Sequence, residues 1–561
     1  MSIETIYALA PEVILVATAT LIYLAAAFLP VRGIWHWVAA AGLILAALAM
    51  FNQTWGPEEP LGSAALEILR AGPLAIDDAG GLDPLARYGR WLTLVVGLAL
   101  VLLSKRPQPQ ALEGEAAGTL LLAIAGLMLA IAAHELVLLF LGLELISIPT
   151  YVLLYMGRRD MQSQEAAVKY FFLSILASAL TLYGFSFLYG IGRSTSLASI
   201  EAALAAGGDG SGTLAAVALV LIFAGLGFKI AAVPFHFYAP DVYQATTHAN
   251  AALLSVLPKI AGLVALVRVA AVAMPGSESV GWRLAFILAV ATMTLGNVLA
   301  LWQDNIRRLL AYSSIAHSGY MLLGLTVGLA GGSGAARSID GIGAMLFYLA
   351  VYSLATTGAF AVLTWLGTSH RQIDGVDELA GLGRTHPGTA AGMAAFMFSL
   401  AGIPPLAGFW GKFTLFGSAL VAEPPVSSVY PWLIALAIVG VLNAAIGAAY
   451  YLRIIGVMYF RAPIAVPRAE GGWGAATAML LCSVAIVAIG LYPGPLVGSS
   501  QRASQAVQKA EARRQKDESE QAVSRNRRPE AKERITDSRV GIEFNVIHQP
   551  SRIVALTLRA R

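Results

Sequence analysis

Three lysines and one glutamate stand where a charge is costly. Lys229, Lys259 and Lys412 fall near the middle of long apolar runs, and Glu144 does the same in FLGLELISIPTYVLL. Before residue 499 the only other lysines are Lys105 and Lys169. A charged side chain at the centre of a bilayer costs about 2.5–3.5 kcal/mol on insertion scales, so four cost about 10–14 kcal/mol, comparable with the whole stability of a domain. Such groups must be paired, hydrated or kept for a function. Arg268, nearer the end of its run, reads as a snorkelling side chain; a mid-span lysine has no interface within reach.

Helix-breaking residues surround the same positions. Lys229 precedes Pro234 and Pro240 in GFKIAAVPFHFYAPD, Pro258 directly precedes Lys259, and Lys412 follows Pro404 and Pro405 in AGIPPLAGFWGKF. Proline removes a backbone hydrogen bond, and in hydrocarbon the freed carbonyl needs another partner or water. Discontinuous helices at matching places in two halves of a chain are a sequence signature of an ion path. His317 lies mid-span among Tyr312, Ser313, Ser314 and Ser318. It suits a proton relay, since imidazole titrates near pH 6.5 in water, and equally a neutral core histidine bonded to a serine. His236 and His248 fall at broken span ends, and Asp241, Asp304, Arg307 and Arg308 at predicted water boundaries, where helix capping accounts for them.

The elements that hold these residues are membrane spans. The chain is 57% hydrophobic and only 12% charged, against roughly 25% charged for an ordinary soluble domain. Runs long enough to cross about 30 Å of hydrocarbon occur near 8–30, 34–52, 91–104, 117–133, 135–156, 166–190, 213–239, 247–273, 283–303, 308–329, 341–367, 390–421, 430–459 and 473–493. The expectation is an all-α polytopic membrane protein of about fourteen helices, two of them discontinuous. The Lys229 run is the fourth of a group starting at 117 and the Lys412 run the fourth of a group starting at 283, which predicts two five-helix repeats. The expected organisation is N-terminal helices at 1–116, repeats at 117–273 and 283–459, a last helix at 473–498 and a basic polar tail at 499–561.

Loops after odd-numbered spans carry Arg32, Lys105, Arg106, Arg158, Arg159, Arg307, Arg308, Arg371, Arg384, Arg453, Arg461 and Arg468. Those after even-numbered spans carry Arg70, Arg87, Arg90, Arg193, Arg283 and Arg337. Positive residues mark the cytoplasmic side, so the N-terminus is expected to face away from it. The first arginine follows the first apolar run, which therefore reads as a retained helix in place of a signal or transit peptide.

Several functions are excluded or disfavoured. The tail holds 14 of the 37 basic and 8 of the 33 acidic residues, leaving 23 and 25 over residues 1–498. The basic isoelectric point therefore belongs to the tail, and no basic folded face calls for nucleic acid. A single cysteine, Cys482, cannot ligate an iron–sulfur cluster or a four-cysteine zinc site. Walker, dinucleotide and HExxH motifs are missing from the sequence.

The strings LELISIPTYVLLYMGRR, EAAVKYFFLSILASALTLYG, FKIAAVPFHFYAPDVYQ, LLSVLPKIAG, QDNIRRLLAYSSIAHSGYMLLG and AGIPPLAGFWGKF closely resemble the subunit N family of the proton-pumping NADH:quinone oxidoreductase, respiratory complex I. The likeness runs from about residue 8 to 495. The wider family includes the other antiporter-like subunits of that complex and subunits of multi-subunit sodium/proton antiporters. The resemblance implies a fourteen-helix fold with inverted repeats in a bacterial inner membrane, other membrane-arm subunits as partners, and protons and water as cargo. It places flavin and iron–sulfur clusters in partner subunits and none on this chain. It also implies roles: Glu144 and Lys229 as a charge pair, Lys259 as the connecting lysine, His317 on the central axis, and Lys412 facing the outer half-channel.

Two departures stand out. The chain reads ATTHANAA after APDVYQ, where the family carries a Gly/Pro-bearing stretch, and its basic tail extends past the usual end. The mechanism expected from the resemblance is electrostatic. A carboxylate about 4 Å from a lysine at an effective dielectric near 20 contributes about 4 kcal/mol, so moving Glu144 relative to Lys229 switches that lysine between loaded and releasing states. The competing class is a cation/proton antiporter subunit, which would move protons in response to sodium or potassium gradients without an electron donor.

Overall fold

The computed structural model describes residues 3–29, 33–55, 74, 82–104, 112–158, 160–207, 210–274, 278–331, 340–367, 372–422, 427–463 and 469–505. The described residues belong to one compact unit. The tail beyond residue 505, and Arg32, Arg70, Lys105, Arg106, Arg159, Arg337, Arg371 and Arg468, lie outside the described residues.

The described chain is almost entirely helical. Its elements include α1 (Ala10–Phe28), α2 (Trp35–Trp55), α3 (Pro84–Ser104), α4 (Glu113–Ala132), α5 (Leu136–Gly157), α6 (Met161–Gly192), α7 (Ser211–Lys229), α8 (Tyr238–Ala245), α9 (His248–Leu266), α10 (Glu278–Leu301), α11 (Ile306–Ala330), α12 (Gly341–Leu366), α13 (Pro387–Ala401), α14 (Ala407–Leu420), α15 (Tyr430–Phe460) and α16 (Gly472–Leu491). Among the described residues strand pairing is limited to three isolated bridges. Among the described residues twelve helices are long and apolar enough to cross a bilayer. Of the other predicted spans, α11 is long enough at 25 residues but is diluted by Tyr312, Ser313, Ser314, His317 and Ser318. The run at 390–421 is divided into α13 and α14 by Gly402–Leu406.

The middle of the molecule is formed by α9 and α12, buried along their length, while α1, α15 and α16 turn much of their apolar surface outward. α10 and α11 form a tight antiparallel pair because Gly296 and Gly319 sit at the crossing. A Cβ on either would lie 2.5–2.6 Å from the backbone of the other helix, the close approach that small residues permit between membrane helices.

Four expectations change. The run at 91–104 begins earlier, at Pro84, so Arg87 and Arg90 lie in the first turns of α3, not in a loop. Arg90 is buried against Glu12 of α1 at 2.5 Å, and the carboxylate makes that burial tolerable. Pro258 does not break α9, which runs from His248 to Leu266 and continues as a π-helix, Val267–Ala273. Arg268 does not snorkel: it is buried, grips Asp83 at the start of α3 with both terminal nitrogens (2.9 and 3.0 Å) and bonds the Ile131 carbonyl. The α11 cap is Asn305, whose side chain accepts from the amides of Arg307 and Arg308. The charged neighbours make ion pairs between segments instead: Arg307–Asp374, Arg308–Asp241 and Arg453–Asp304.

Candidate functional site: a buried row of charged and hydroxyl groups

α7 stops at Lys229. The next residues turn through Ala231, whose φ is +56°, and Pro234 before α8 resumes at Tyr238. The break leaves carbonyls that α7 cannot satisfy, and each named one has a partner. Phe228 O accepts from the Ala231 amide at 3.0 Å and from the Tyr238 hydroxyl at 3.0 Å. Ile230 O accepts from Lys259 Nζ at 2.8 Å and from the Ser318 hydroxyl at 2.6 Å. The partial negative charge at a helix C-terminus favours a cation there, so the broken end of α7 is a ready-made seat for the ammonium of α9.

Lys229 itself points to α5. Its Nζ lies 3.9 Å from Glu144 Oε1 and donates to the Ser147 hydroxyl. Glu144 in turn accepts from the Ser178 hydroxyl of α6. Lys229 is almost fully buried while Glu144 is 22% exposed, so the pair spans from the interior to an accessible edge. Lys259 completes its shell with the Ser314 carbonyl at 3.1 Å and the Ser318 hydroxyl at 2.5 Å. It is therefore bonded to the residue after Lys229 and to the residue after His317.

His317 has neither a serine partner nor a free nitrogen. Nδ1 is 2.6 Å from the Tyr348 hydroxyl of α12, and Nε2 is 2.7 Å from the Tyr451 hydroxyl of α15. The serines stand one step further out: Ser313 bonds Tyr451, and Ser314 bonds Tyr352 at 2.7 Å. The Tyr320 ring lies between His317, 5.7 Å from its ring, and Lys412, whose Nζ is 5.1 Å from the Tyr320 centroid.

Lys412 repeats the arrangement seen at Lys259. α13 ends at Ala401 with Gly402 in the left-handed region, and Ala401 O accepts from Lys412 Nζ at 2.9 Å. Gly408 brings α14 against α13: its amide donates to Ser399 Oγ at 3.1 Å, and a Cβ there would fall 1.7 Å from Ser399 O. In both places a lysine sits on a carbonyl freed by a broken span.

Glu144, Lys229, Lys259 and His317 are thus linked through at most one intervening residue, and Lys412 is approached across Tyr320. His236 sits in the segment between α7 and α8, and His248 is buried at the start of α9. Sequence reasoning missed Ser147, Ser178, Tyr348, Tyr352 and Tyr451. A signal existed for two of these, since Tyr348 and Tyr352 are four residues apart on one face of an otherwise apolar run, and a buried phenol needs a hydrogen-bond partner. Among the described residues no cluster of His, Cys, Asp and Glu is arranged to hold a metal ion.

Residues 133–442 match the family model described as NADH:quinone oxidoreductase/Mrp antiporter, TM. NADH-quinone oxidoreductase subunit N of Paramagnetospirillum magneticum is 38% identical over 493 residues, 84% of this chain and 96% of the relative. A chain of respiratory complex I from Thermus thermophilus superimposes with a TM-score of 0.69 at 31% identity, covering 87% of this chain and 98% of that one. A chain of the Mrp complex from a Dietzia species matches with a TM-score of 0.72 over 91% of this chain and 99% of that one. At 21% identity, that last likeness shows the fold alone.

Proposed function

Since the chain belongs to the NADH:quinone oxidoreductase/Mrp antiporter membrane family, we propose that Glu144, Lys229, Lys259, His317 and Lys412 form its proton path. The protein is a membrane-arm subunit of NADH:quinone oxidoreductase, a multi-pass protein of the bacterial inner membrane that works beside other membrane-arm subunits and couples electron transfer to proton transport. On this reading the redox chemistry, with its flavin and iron–sulfur clusters, belongs to the partners and none of it to this chain. Ten of the fourteen spans form two five-helix repeats over 117–273 and 283–459, each with one discontinuous span.

The observation that carries the reading is the double bonding of Lys259. Its ammonium holds the carbonyl of Ile230, next to Lys229, and the hydroxyl of Ser318, next to His317. One cation therefore bridges the broken span of the first half and the polar helix of the second. Glu144 attracts the charge on Lys229, and when partner subunits move that carboxylate away the hold weakens and the proton passes on. Lys259 and His317 carry it across the middle, and Lys412, seated on Ala401 O, releases it on the far side.

The test is Lys229→Ala in the assembled complex, reconstituted into vesicles with NADH and quinone. Proton uptake should be abolished or strongly reduced, and a sodium or potassium gradient alone should drive none in the parent. Normal protons per electron in the variant would overturn the path.

A further inference from the structure

The two tyrosines on His317 divide its ring between them. A neutral imidazole has one N–H and one bare nitrogen, so one phenol donates to the ring and the other accepts from it. Tyr451 also bonds the Ser313 hydroxyl. Ser313, Tyr451, His317 and Tyr348 thus form a row of four buried groups from α11, α12 and α15, each able to donate and accept. Ser313 precedes Ser314, whose carbonyl accepts from Lys259.

At the other end of the row the Tyr348 ring packs against α14. The Tyr348 ring lies against Gly411, the residue before Lys412, and a Cβ at that glycine would fall 2.3 Å from Tyr348 Cδ2. Only glycine lets the ring pack so closely beside the lysine-bearing turn. Tyr320 meets Lys412 with its ring face, and its hydroxyl accepts from Asn297 Nδ2 at 3.1 Å.

We propose that Tyr451 and Tyr348 are relay residues that bring the proton to one nitrogen of His317 and take it from the other; the role rests on the proton path proposed above. A proton reaching the Tyr451 oxygen from the Ser313 side displaces the phenol's own proton onto the bare Nε2. The Nδ1 proton passes to the Tyr348 oxygen, whose own proton leaves toward Lys412. One N–H bond forms and one breaks, no charge stays on the ring, and His317 ends as the other tautomer. The row then points the opposite way and passes no second proton until its hydroxyls and imidazole have turned back, so protons cross singly.

The experiment compares Tyr348→Phe, Tyr451→Phe, Tyr348→Leu and His317→Ala in the assembled complex in vesicles, with Tyr183→Phe, on the exposed face of α6, as the control. Assembly is read from native gels, and protons per electron from NADH:quinone turnover. Each phenylalanine keeps the ring and removes only the hydroxyl. The expected result is that both lower proton uptake at least tenfold, to the level of His317→Ala, in complexes assembled as well as the control. If His317→Ala abolishes uptake while both phenylalanine variants pump normally, the relay is overturned and the path stands. The relay is likewise overturned if Tyr348→Leu fails where Tyr348→Phe succeeds, since the ring alone then suffices. If His317→Ala itself pumps normally, the path fails and the relay with it. Should a single phenylalanine variant fail to assemble, Ser313→Ala reads the Tyr451 arm and Gly411→Ala the Tyr348 arm, and normal pumping in either overturns that arm.

Discussion

Replacing Glu144 by glutamine keeps the side chain's size and its acceptor for Ser178 but removes its charge. At 3.9 Å from Lys229 Nζ and an effective dielectric near 20, the lost attraction is about 4 kcal/mol, which corresponds to about a thousandfold in the occupancy of the charged state. Glu144→Asp supplies a graded step. Shortening the side chain by one C–C bond, about 1.5 Å, leaves about 3 kcal/mol at the same dielectric. The assay is proton uptake into vesicles carrying the complex, driven by NADH and quinone, with electron transfer followed in parallel. Coupled uptake should fall at least tenfold in Glu144→Gln and lie between that and the parent in Glu144→Asp, with assembly unchanged. Parent protons per electron in both variants would refute the argument that this pair sets the hold on Lys229.

Lys259→Met removes three hydrogen bonds but leaves Ile230 O with the Ser318 hydroxyl, so the complex should assemble at parental levels while proton uptake is lost; native gels and the vesicle assay check the two halves. Gly408→Ala puts a methyl 1.7 Å from Ser399 O. Because backbone must move to admit it, destabilisation should reach the upper end of about 1–3 kcal/mol or more, seen as a lower melting temperature in detergent and less assembled complex. Arg268→Ala strands Asp83, and breaking a buried pair from one side costs about 3–5 kcal/mol. Asp83 is 22% exposed, so the lower end is expected, and Arg268→Ala/Asp83→Ala should recover part of the lost melting temperature.

How much of this was legible depended on whether a residue's environment follows from its own run. Glu144, Lys229, Lys259 and Lys412 were conspicuous because a charge in hydrocarbon is costly whatever the fold around it. The break after Lys229 followed from its prolines, whereas Pro258 shows the limit of that inference: α9 continues through it, and proline is tolerated inside membrane helices. Arg90 and Arg268 were misread because their partners, Glu12 and Asp83, lie 78 and 185 positions away, and periodicity within one run carries no information about such partners.

The sequence by itself determined a membrane-spanning, all-helical chain, the places where spans interrupt and the four costly charges, since each follows from local composition against the thickness of a bilayer. Tertiary structure decided which groups meet: Lys259 on Ile230 O, Lys412 on Ala401 O, and His317 between Tyr348 and Tyr451 instead of beside a serine. The reason is that hydrogen bonds reach only about 3 Å. Which donors fall within that reach of a given acceptor is fixed by how α7, α9, α11, α12, α13, α14 and α15 pack, a property of helix against helix that no single span encodes.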